Sequence, residues 1–214
     1  MKDRLMITIH CLAYSRAIRL VWLMEDMHAS YRLVQYRRTD QFRAPAALQK
    51  IHPLGKSPVI EDDGLKIAES ATCLRYLADK FGDETHRPTP GTPQYVHHEE
   101  LLDYVESSFA EVSMGLLLPG FNGEEPSDAA RAAMRTHLDY LAQNLQRSGL
   151  LFGDMAFLAD IQLSYLLANL DAMGFLDDFP RIKTYWHDLQ QQPGYQAAVT
   201  AAGPMAPHPT ARTP

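Results

Sequence analysis

Residues 52–77 constrain the fold of this chain more than any other stretch. Pro58 has no backbone N–H for a strand ladder, which indicates a turn or the start of a strand, and an X–Pro bond can be cis at low cost. Val59 and Ile60 then form a short apolar run, and Asp62-Asp63-Gly64 has the composition of a hairpin turn. The stretch therefore predicts two antiparallel strands that begin beside a proline.

The same stretch ends in a candidate anion site. Residues 65–68 alternate as the return strand of the hairpin should, and Glu69 and Ser70 then stand at the start of a helix predicted to run to about Phe81. The backbone N–H groups and the dipole at a helix N-terminus favour a carboxylate. We therefore expect an edge that pairs with a peptide, followed by a site for an anion.

Periodicity predicts the elements before this hairpin. Residues 5–9 form an apolar run typical of a strand, and apolar residues at helical spacing predict a helix over 15–27. Residues 31–36 alternate as a second strand, and 45–51 fit a short helix with proline in its first turn. The predicted order of the N-terminal elements is βαβαββα.

The chain changes character after residue 82. Prolines and a glycine in 83–93 are typical of a linker, and the residues beyond it have helical patterns over 95–118, 127–146, 158–173 and 181–191. Prolines from Gly203 onward indicate a tail without a core of its own. The predicted organisation is a domain of residues 1–82, a linker 83–93, an all-helical domain 94–202 and a tail 203–214.

The motifs around Pro58 and Ser70 resemble those of cytosolic glutathione transferases. The resemblance covers most of the chain and implies an α+β architecture, with a thioredoxin-like domain on a mixed four-stranded sheet followed by an all-α domain. In that family the segment before a cis-proline lies antiparallel to the cysteinyl part of glutathione, and a Glu/Gln-Ser pair holds the γ-glutamyl end. The resemblance implies that Ser57 offers backbone groups to the cysteinyl part, that Ser70 binds the α-carboxylate and that Glu69 faces the α-ammonium.

Charge indicates which further residues would help to bind glutathione. The tripeptide is anionic near neutral pH, so a chain with a net charge of −6 needs local cations to hold it. Arg16 and Lys56 are the candidates, with Arg38 behind them. The negative net charge also argues against nucleic acid as the main partner, because phosphate binding needs a surplus of Lys and Arg on one face.

The segment between the first strand and the first helix is the expected place for a group that activates the thiol. Ser-type transferases carry a serine four positions before a helix-borne arginine, and Ser15 and Arg19 keep that interval, in a motif similar to a bacterial and fungal branch of the family. The resemblance implies that Ser15 donates a hydrogen bond to the sulfur of glutathione. Ser15 could also cap the helix, and the two roles are compatible.

Known magnitudes indicate that this hydrogen bond and the helix N-terminus together can stabilise the thiolate. Lowering a thiol pKa from about 8.5 to about 6.5 needs roughly 2.7 kcal/mol. A charge-assisted hydrogen bond supplies roughly 1.5–3 kcal/mol and a helix N-terminus roughly 0.3–1 kcal/mol. The serine itself therefore never needs to ionise.

Two neighbouring residues are alternatives to Ser15. Another branch of the family uses a tyrosine hydroxyl, which Tyr14 could supply, and other branches form a mixed disulfide through a cysteine, which Cys11 could do. Cys11 lies four residues too early for the Cys-type pattern, and a free cysteine at a strand end is commonly a small buried hydrophobe. We expect both Cys11 and Cys73 to be free thiols.

A second set of residues could line a pocket for the electrophile. Tyr104, Ser108 and Glu111 share one face of a predicted helix, and Tyr14 could join them. The alternative is an ordinary exposed helix face. Farther along, Phe157 stands where the family places a capping Ser or Thr, which leaves Asp160 to cap the next helix alone in a structural role.

Other cofactor and membrane classes lack their motifs. Lys50 replaces the first glycine of a nucleotide-binding P-loop, no Gly-x-Gly-x-x-Gly or His-Glu-x-x-His occurs, and the histidines form no metal-ligand set. No apolar run reaches the roughly 18 residues of a membrane span, and the N-terminus lacks the apolar segment of a signal peptide. We expect a cytoplasmic protein and, by the resemblance, a homodimer.

The sequence therefore predicts a glutathione transferase whose bound thiolate attacks an electrophilic small molecule or a peroxide. Two alternatives stay open. The chain could be a catalytically silent protein of the same fold that serves interaction or regulation, or a Cys-dependent thiol-disulfide oxidoreductase. Fold alone does not decide between them.

Overall fold

The computed structural model describes residues 6–146 and 149–207. Among them, the residues up to Asp83 together with Pro193–Met205 form one compact unit, and Glu84–Gln192 form the main part of a second. The N-terminal unit contains, in chain order, β1 (Ile7–Leu12), α1 (Ile18–Asp26), β2 (Tyr31–Tyr36), a short 3₁₀ helix (Ala46–Lys50), β3 (Val59–Asp62), β4 (Leu65–Ala68) and α2 (Ser70–Phe81). The predicted βαβαββα order is confirmed.

The four strands form one mixed sheet in the order β2-β1-β3-β4. Strand β1 is parallel to β2 and antiparallel to β3, and β3 pairs antiparallel with β4. Asp63 and Gly64 form the two-residue loop between β3 and β4 with φ values of 47° and 83°. Positive φ at both loop positions is the geometry that matches the twist of a hairpin, so the predicted turn is confirmed.

Strand β1 lies later in the chain than predicted. It spans Ile7–Leu12 rather than residues 5–9, so His10 and Cys11 belong to the strand and not to the connection after it. A polar His10 fits there because its ring nitrogens face Tyr36 Oη on β2, at 2.8 Å, and Glu61 Oε2 on β3, at 3.3 Å. These partners across the sheet could not be found from the local hydrophobic pattern.

The core of the N-terminal unit surrounds α1 on every side. Every residue of α1 from Ile18 to Met24 is buried. Helix α8 (Pro193–Ala202) packs against α1, with Trp22 and Tyr195 in an edge-to-face contact at 5.3 Å between ring centroids. Gly194 allows this close approach, because a Cβ there would lie 2.0 Å from Asp26 Oδ1.

The placement of α8 differs from the predicted organisation. It belongs to the N-terminal unit, whereas the sequence predicted one all-helical domain over 94–202. The predicted tail from Gly203 also begins with a core residue, since Met205 is 1% exposed. Residues 208–214 of that predicted tail lie outside the described residues. Pro193 and Gly194 indicated a break, but proline is well tolerated at the first position of a helix.

The second unit is helical. Its elements are α3 (Pro93–Tyr104), a π-helical turn (Val105–Phe109), α4 (Ala110–Phe121), α5 (Asp128–Asn144), α6 (Leu158–Ala172) and α7 (Pro180–Gln190). The π turn adds a residue within an otherwise continuous helix and shifts the phase of its buried face. Val112, seven residues after the buried Val105, would lie on the same buried face in a regular helix, but it is half-buried and Ser113 is buried instead.

Asp160 organises the start of α6. Its carboxylate accepts hydrogen bonds from the N–H of Phe157 at 2.9 Å, the N–H of Leu151 at 3.2 Å and the hydroxyl of Tyr185 at 2.8 Å. Asp160 is completely buried, and burial raises the pKa of its carboxyl to about 6. These contacts support the predicted structural role.

Two properties of the described residues bear on the class of protein. None of their helices is both long and apolar enough to cross a bilayer. They also contain no group of three or more His, Cys, Asp or Glu side chains arranged to hold a metal ion.

Candidate active site

Ser15 lies in the turn between β1 and α1. The preceding residue, Tyr14, has a positive φ of 54°, and Ser15 is 5% exposed. Its hydroxyl accepts a hydrogen bond from the N–H of Ala17 at 3.2 Å. Ser15 thus satisfies one N–H at the start of the helix, although the capping position itself is Ala17.

Ser57 meets Ser15 across the sheet. The Ser57–Pro58 bond is cis, as predicted, and Pro58 is buried. The hydroxyl oxygens of Ser57 and Ser15 are 3.3 Å apart. The Ser57 hydroxyl also donates to the carbonyl of His10 at 2.9 Å and accepts from the N–H of Leu12 at 3.0 Å. The structure therefore brings together the end of β1, Ser15 and the residue before Pro58.

Glu69 and Ser70 form the start of α2. Glu69 is exposed and has φ 67° and ψ 116°, a conformation that costs a non-glycine residue about 1–3 kcal/mol and that clusters at ligand sites. Ser70 is 3% exposed. Helix α2 has no acidic residue in its first turn, and the Glu69 side chain at its capping position makes no capping hydrogen bond.

Arg19 supports Ser70 from α1, a role that the sequence analysis missed. Its side chain is completely buried, and its Nη1 donates to the Ser70 hydroxyl at 3.0 Å. This bond places the positive charge of Arg19 beside the Ser70 hydroxyl. The signal available in the sequence was an arginine within the apolar run of α1, whose partner lies 51 residues away.

Arg38 holds the loop beside Ser15. Its guanidinium donates to the carbonyls of Ala13 at 2.9 Å, Tyr14 at 2.8 Å and Phe42 at 3.0 Å, and lies 4.6 Å from the centre of the Phe42 ring. The Tyr14 ring stacks on Phe42. These contacts give Arg38 a structural role in this loop, and its part in binding glutathione remains a prediction. Of the two main candidates, Arg16 is half-buried and Lys56 is exposed.

The two thiols are buried. Cys11 is 1% exposed and Cys73 is fully buried, and burial raises the pKa of each to about 12. Both are free. At neutral pH a thiol with that pKa is almost entirely protonated, and the thiolate is the reactive form. This argues against Cys11 as the nucleophile.

The remaining candidates, Tyr104, Ser108 and Glu111, belong to the helical unit. Tyr104 packs among aromatic rings, and its hydroxyl lies 2.6 Å from His137 Nδ1 on α5. Burial raises the pKa of Tyr104. Ser108 is half-buried and Glu111 is exposed. Tyr104 thus helps to hold α3 and α5 together, and Glu111 matches the alternative of an exposed face.

Comparisons with known proteins agree with this geometry. The family model described as "Glutathione S-transferase, N-terminal domain" matches residues 9–79. Glutathione S-transferase 3 of Schizosaccharomyces pombe is 37% identical over 103 residues, which are 48% of this chain and 42% of that relative, so the match spans less than half of its length.

Two further similarities extend over more of the chain. A glutathione S-transferase of Arabidopsis thaliana is 31% identical over 160 residues, which cover 68% of this chain and 73% of that protein. The crystal structure of a glutathione S-transferase from Actinobacillus pleuropneumoniae matches with a TM-score of 0.79 and 28% identity, over 93% of this chain and 94% of the other. With its thioredoxin-like sheet followed by a helical unit, this chain belongs to the glutathione S-transferase family.

Proposed function

We propose that the protein is a glutathione transferase of the Ser type, in which the Ser15 hydroxyl stabilises the thiolate of bound glutathione. The observation that carries this proposal is the placement of a buried Ser15 hydroxyl 3.3 Å from the hydroxyl of Ser57, the residue before the cis-proline. A thiol held against the Ser57 backbone would be within reach of Ser15. The thiolate sulfur would then accept a charge-assisted hydrogen bond from the Ser15 hydroxyl.

The other end of glutathione would lie at α2. The N-terminal N–H groups of α2 and the Ser70 hydroxyl would bind the α-carboxylate, with the positive charge of Arg19 behind Ser70. Glu69 is exposed beside them and would face the α-ammonium. Arg16 and Lys56 are the proposed cations for the remaining negative charge of the tripeptide.

The reaction follows from the thiolate. Its sulfur would form a bond to an electrophilic carbon and displace a leaving group. With a hydroperoxide, the sulfur would instead bond to the outer oxygen, break the O–O bond and release the alkoxide, which takes up a proton from water to give the alcohol. The glutathione sulfenic acid formed in this way would react with a second glutathione to give the disulfide and water. The electrophile pocket that the sequence analysis assigned to Tyr14, Tyr104, Ser108 and Glu111 remains a prediction, and the exposure of Glu111 favours the alternative for that residue. A homodimer and a cytoplasmic location remain predictions of the family resemblance.

Calorimetric titration of glutathione into the protein tests the proposal directly. We expect saturable binding and, on the bound tripeptide, a thiolate absorbance that titrates below the pKa of free glutathione. Absence of binding at millimolar glutathione would contradict the enzyme proposal and favour the interaction protein. Loss of activity in Tyr14→Phe, with Ser15→Ala still active, would assign the hydrogen bond to the thiolate to Tyr14 instead of Ser15.

A further inference from the structure

The hydroxyl of Ser57 replaces backbone pairing at the end of the β1–β3 ladder. The antiparallel register pairs Thr8 with Glu61, Ile9 with Ile60 and His10 with Val59. Its continuation would place Leu12 opposite Ser57, joined by backbone hydrogen bonds. The ladder ends at Val59 instead, and the Ser57 hydroxyl bonds to the N–H of Leu12 and the carbonyl of His10. Within the described residues, all hydrogen bonds of Ser57 run through its hydroxyl.

The protons of this arrangement determine which serine is the donor. A serine hydroxyl has one proton to donate and two lone pairs. The Ser57 proton is used by the carbonyl of His10, which is an acceptor only, and one of its lone pairs is used by the N–H of Leu12. Ser57 can therefore only accept from Ser15, and the Ser15 hydroxyl must be the donor of their contact.

The contact between the two serines is weak. Its oxygen–oxygen distance of 3.3 Å exceeds the roughly 2.5–3.0 Å of ordinary hydroxyl hydrogen bonds. The Ser15 oxygen is meanwhile held by the N–H of Ala17 at 3.2 Å. The Ser15 hydroxyl can thus rotate to donate its hydrogen bond to a charged acceptor instead of Ser57, while the Ser15 oxygen stays in place.

We propose that Ser57 is a positioning residue for Ser15. This inference rests on the proposed function. The two backbone groups of β1 fix the Ser57 hydroxyl, which presents a lone pair to Ser15 and thereby keeps the Ser15 proton directed away from Ala17 and ready for the sulfur of glutathione. The hydrogen bonds from Ser57 to β1 are made by its side chain. The backbone N–H and carbonyl of Ser57 can therefore pair with the cysteinyl part of glutathione.

Substitution of Ser57 tests this role through the ionisation of the bound thiol. We expect Ser57→Ala to raise the apparent pKa of bound glutathione by about 0.5–1 and to lower kcat at neutral pH by about 3- to 10-fold, the range of one ordinary hydrogen bond. Higher pH should restore kcat, and the KM for glutathione should change less than kcat because the Ser57 backbone is retained. Ser57→Thr keeps the hydroxyl and should restore the thiol pKa.

Controls separate positioning from simple destabilisation. Ser164→Ala removes a buried hydroxyl that donates to the carbonyl of Ile161 at 2.6 Å on α6, and it should leave the thiol pKa unchanged. In a Ser15→Ala background, Ser57→Ala should raise the thiol pKa no further. If Ser57→Ala does not fold, Ser57→Cys, a weaker hydrogen-bonding group, should give a smaller rise.

The results also separate this inference from the proposed function. A Ser57 variant that loses thermal stability but keeps the wild-type thiol pKa would overturn the inference and leave Ser57 a structural residue. If Ser15→Ala raises the thiol pKa and no Ser57 variant does, the proposed function stands and the inference fails. If the wild-type protein binds no glutathione, both fail.

Discussion

Two helix N-termini of this protein, those of α2 and α6, meet the same physical demand in opposite ways. Helix α6 carries its own anion, because Asp160 is buried in its first turn and accepts three hydrogen bonds from the chain. Helix α2 has no acidic residue in its first turn, and Arg19 adds a further donor at Ser70. The carboxylate at the start of α6 comes from the chain itself and is structural, whereas the proposed function assigns the start of α2 to the carboxylate of glutathione.

The largest expected effect is on stability at the α6 end. Asp160→Ala removes the acceptor of three donors, two of them backbone N–H groups, and buried unsatisfied donors cost about 1–3 kcal/mol each. We expect a loss of about 3–5 kcal/mol in the free energy of unfolding, measured by urea denaturation. Asp160→Asn keeps an acceptor oxygen and should lose less. A loss below about 1 kcal/mol would contradict the structural role.

The same carboxylate predicts a pH dependence. Its folded pKa of about 6 lies above the unfolded value of about 4, so the folded state binds more protons between these values. The contribution of Asp160 to stability is therefore fully present below about pH 4 and decreases as pH rises to about 6. Urea midpoints across this range should fall more steeply for the wild type than for Asp160→Asn; parallel curves would show that Asp160 does not titrate there.

The next largest expected effect is on the catalytic rate, through Ser15. Ser15→Ala should leave the fold and most glutathione affinity intact, while the loss of roughly 1.5–3 kcal/mol at the thiolate lowers the rate at neutral pH by about 10- to 150-fold. Raising the pH should recover part of the activity, because free hydroxide then forms the thiolate. Steady-state rates between pH 6 and about 9 measure this. An unchanged rate would remove Ser15 from the mechanism.

Binding at α2 is expected to change by a similar or smaller amount. Ser70→Ala should weaken glutathione binding by about 1–3 kcal/mol, because the bound carboxylate loses a hydrogen bond. Ser127→Ala is the matched control, since Ser127 is an exposed cap that accepts from the N–H of Ala130 at 3.2 Å on α5. It should cost about 1 kcal/mol of stability with no change in binding. Equal dissociation constants for Ser70→Ala and the wild type would show that Ser70 does not bind glutathione and that the start of α2 is structural, like that of α6.

The smallest expected effect is at Cys11. Its thiol is buried, and its raised pKa leaves almost no thiolate at neutral pH. Cys11→Ala should therefore retain wild-type activity within about twofold, with a modest loss of stability from the smaller side chain. Glutathione-dependent assays of Cys11→Ala beside Ser15→Ala decide the point. An inactive Cys11→Ala with an active Ser15→Ala would establish the Cys-dependent alternative.

Local signals predicted the elements that frame the site. The proline before a short apolar run, the Asp-Gly pair of the hairpin loop and the helix start at Ser70 each depend on neighbours within a few residues, and each appears in the structure at the predicted place. The phase of the helix through Val105–Phe109 was not predictable in this way, because regular spacing assumes 3.6 residues per turn and a π turn departs from it.

The sequence by itself determined the βαβαββα order of the N-terminal elements and the candidates Ser15, Ser57, Glu69 and Ser70, because side-chain periodicity, turn chemistry and motif spacing are local properties. Tertiary structure alone decided which of these groups lie in contact. Arg19 bonds to Ser70 across 51 positions of sequence, and Ser57 contacts Ser15 across 42. Asp26 of α1 packs closely against Gly194 of α8. Hydrogen bonds and close packing need distances within a few ångströms, and separation along the chain carries no record of which distant residues the fold brings that close.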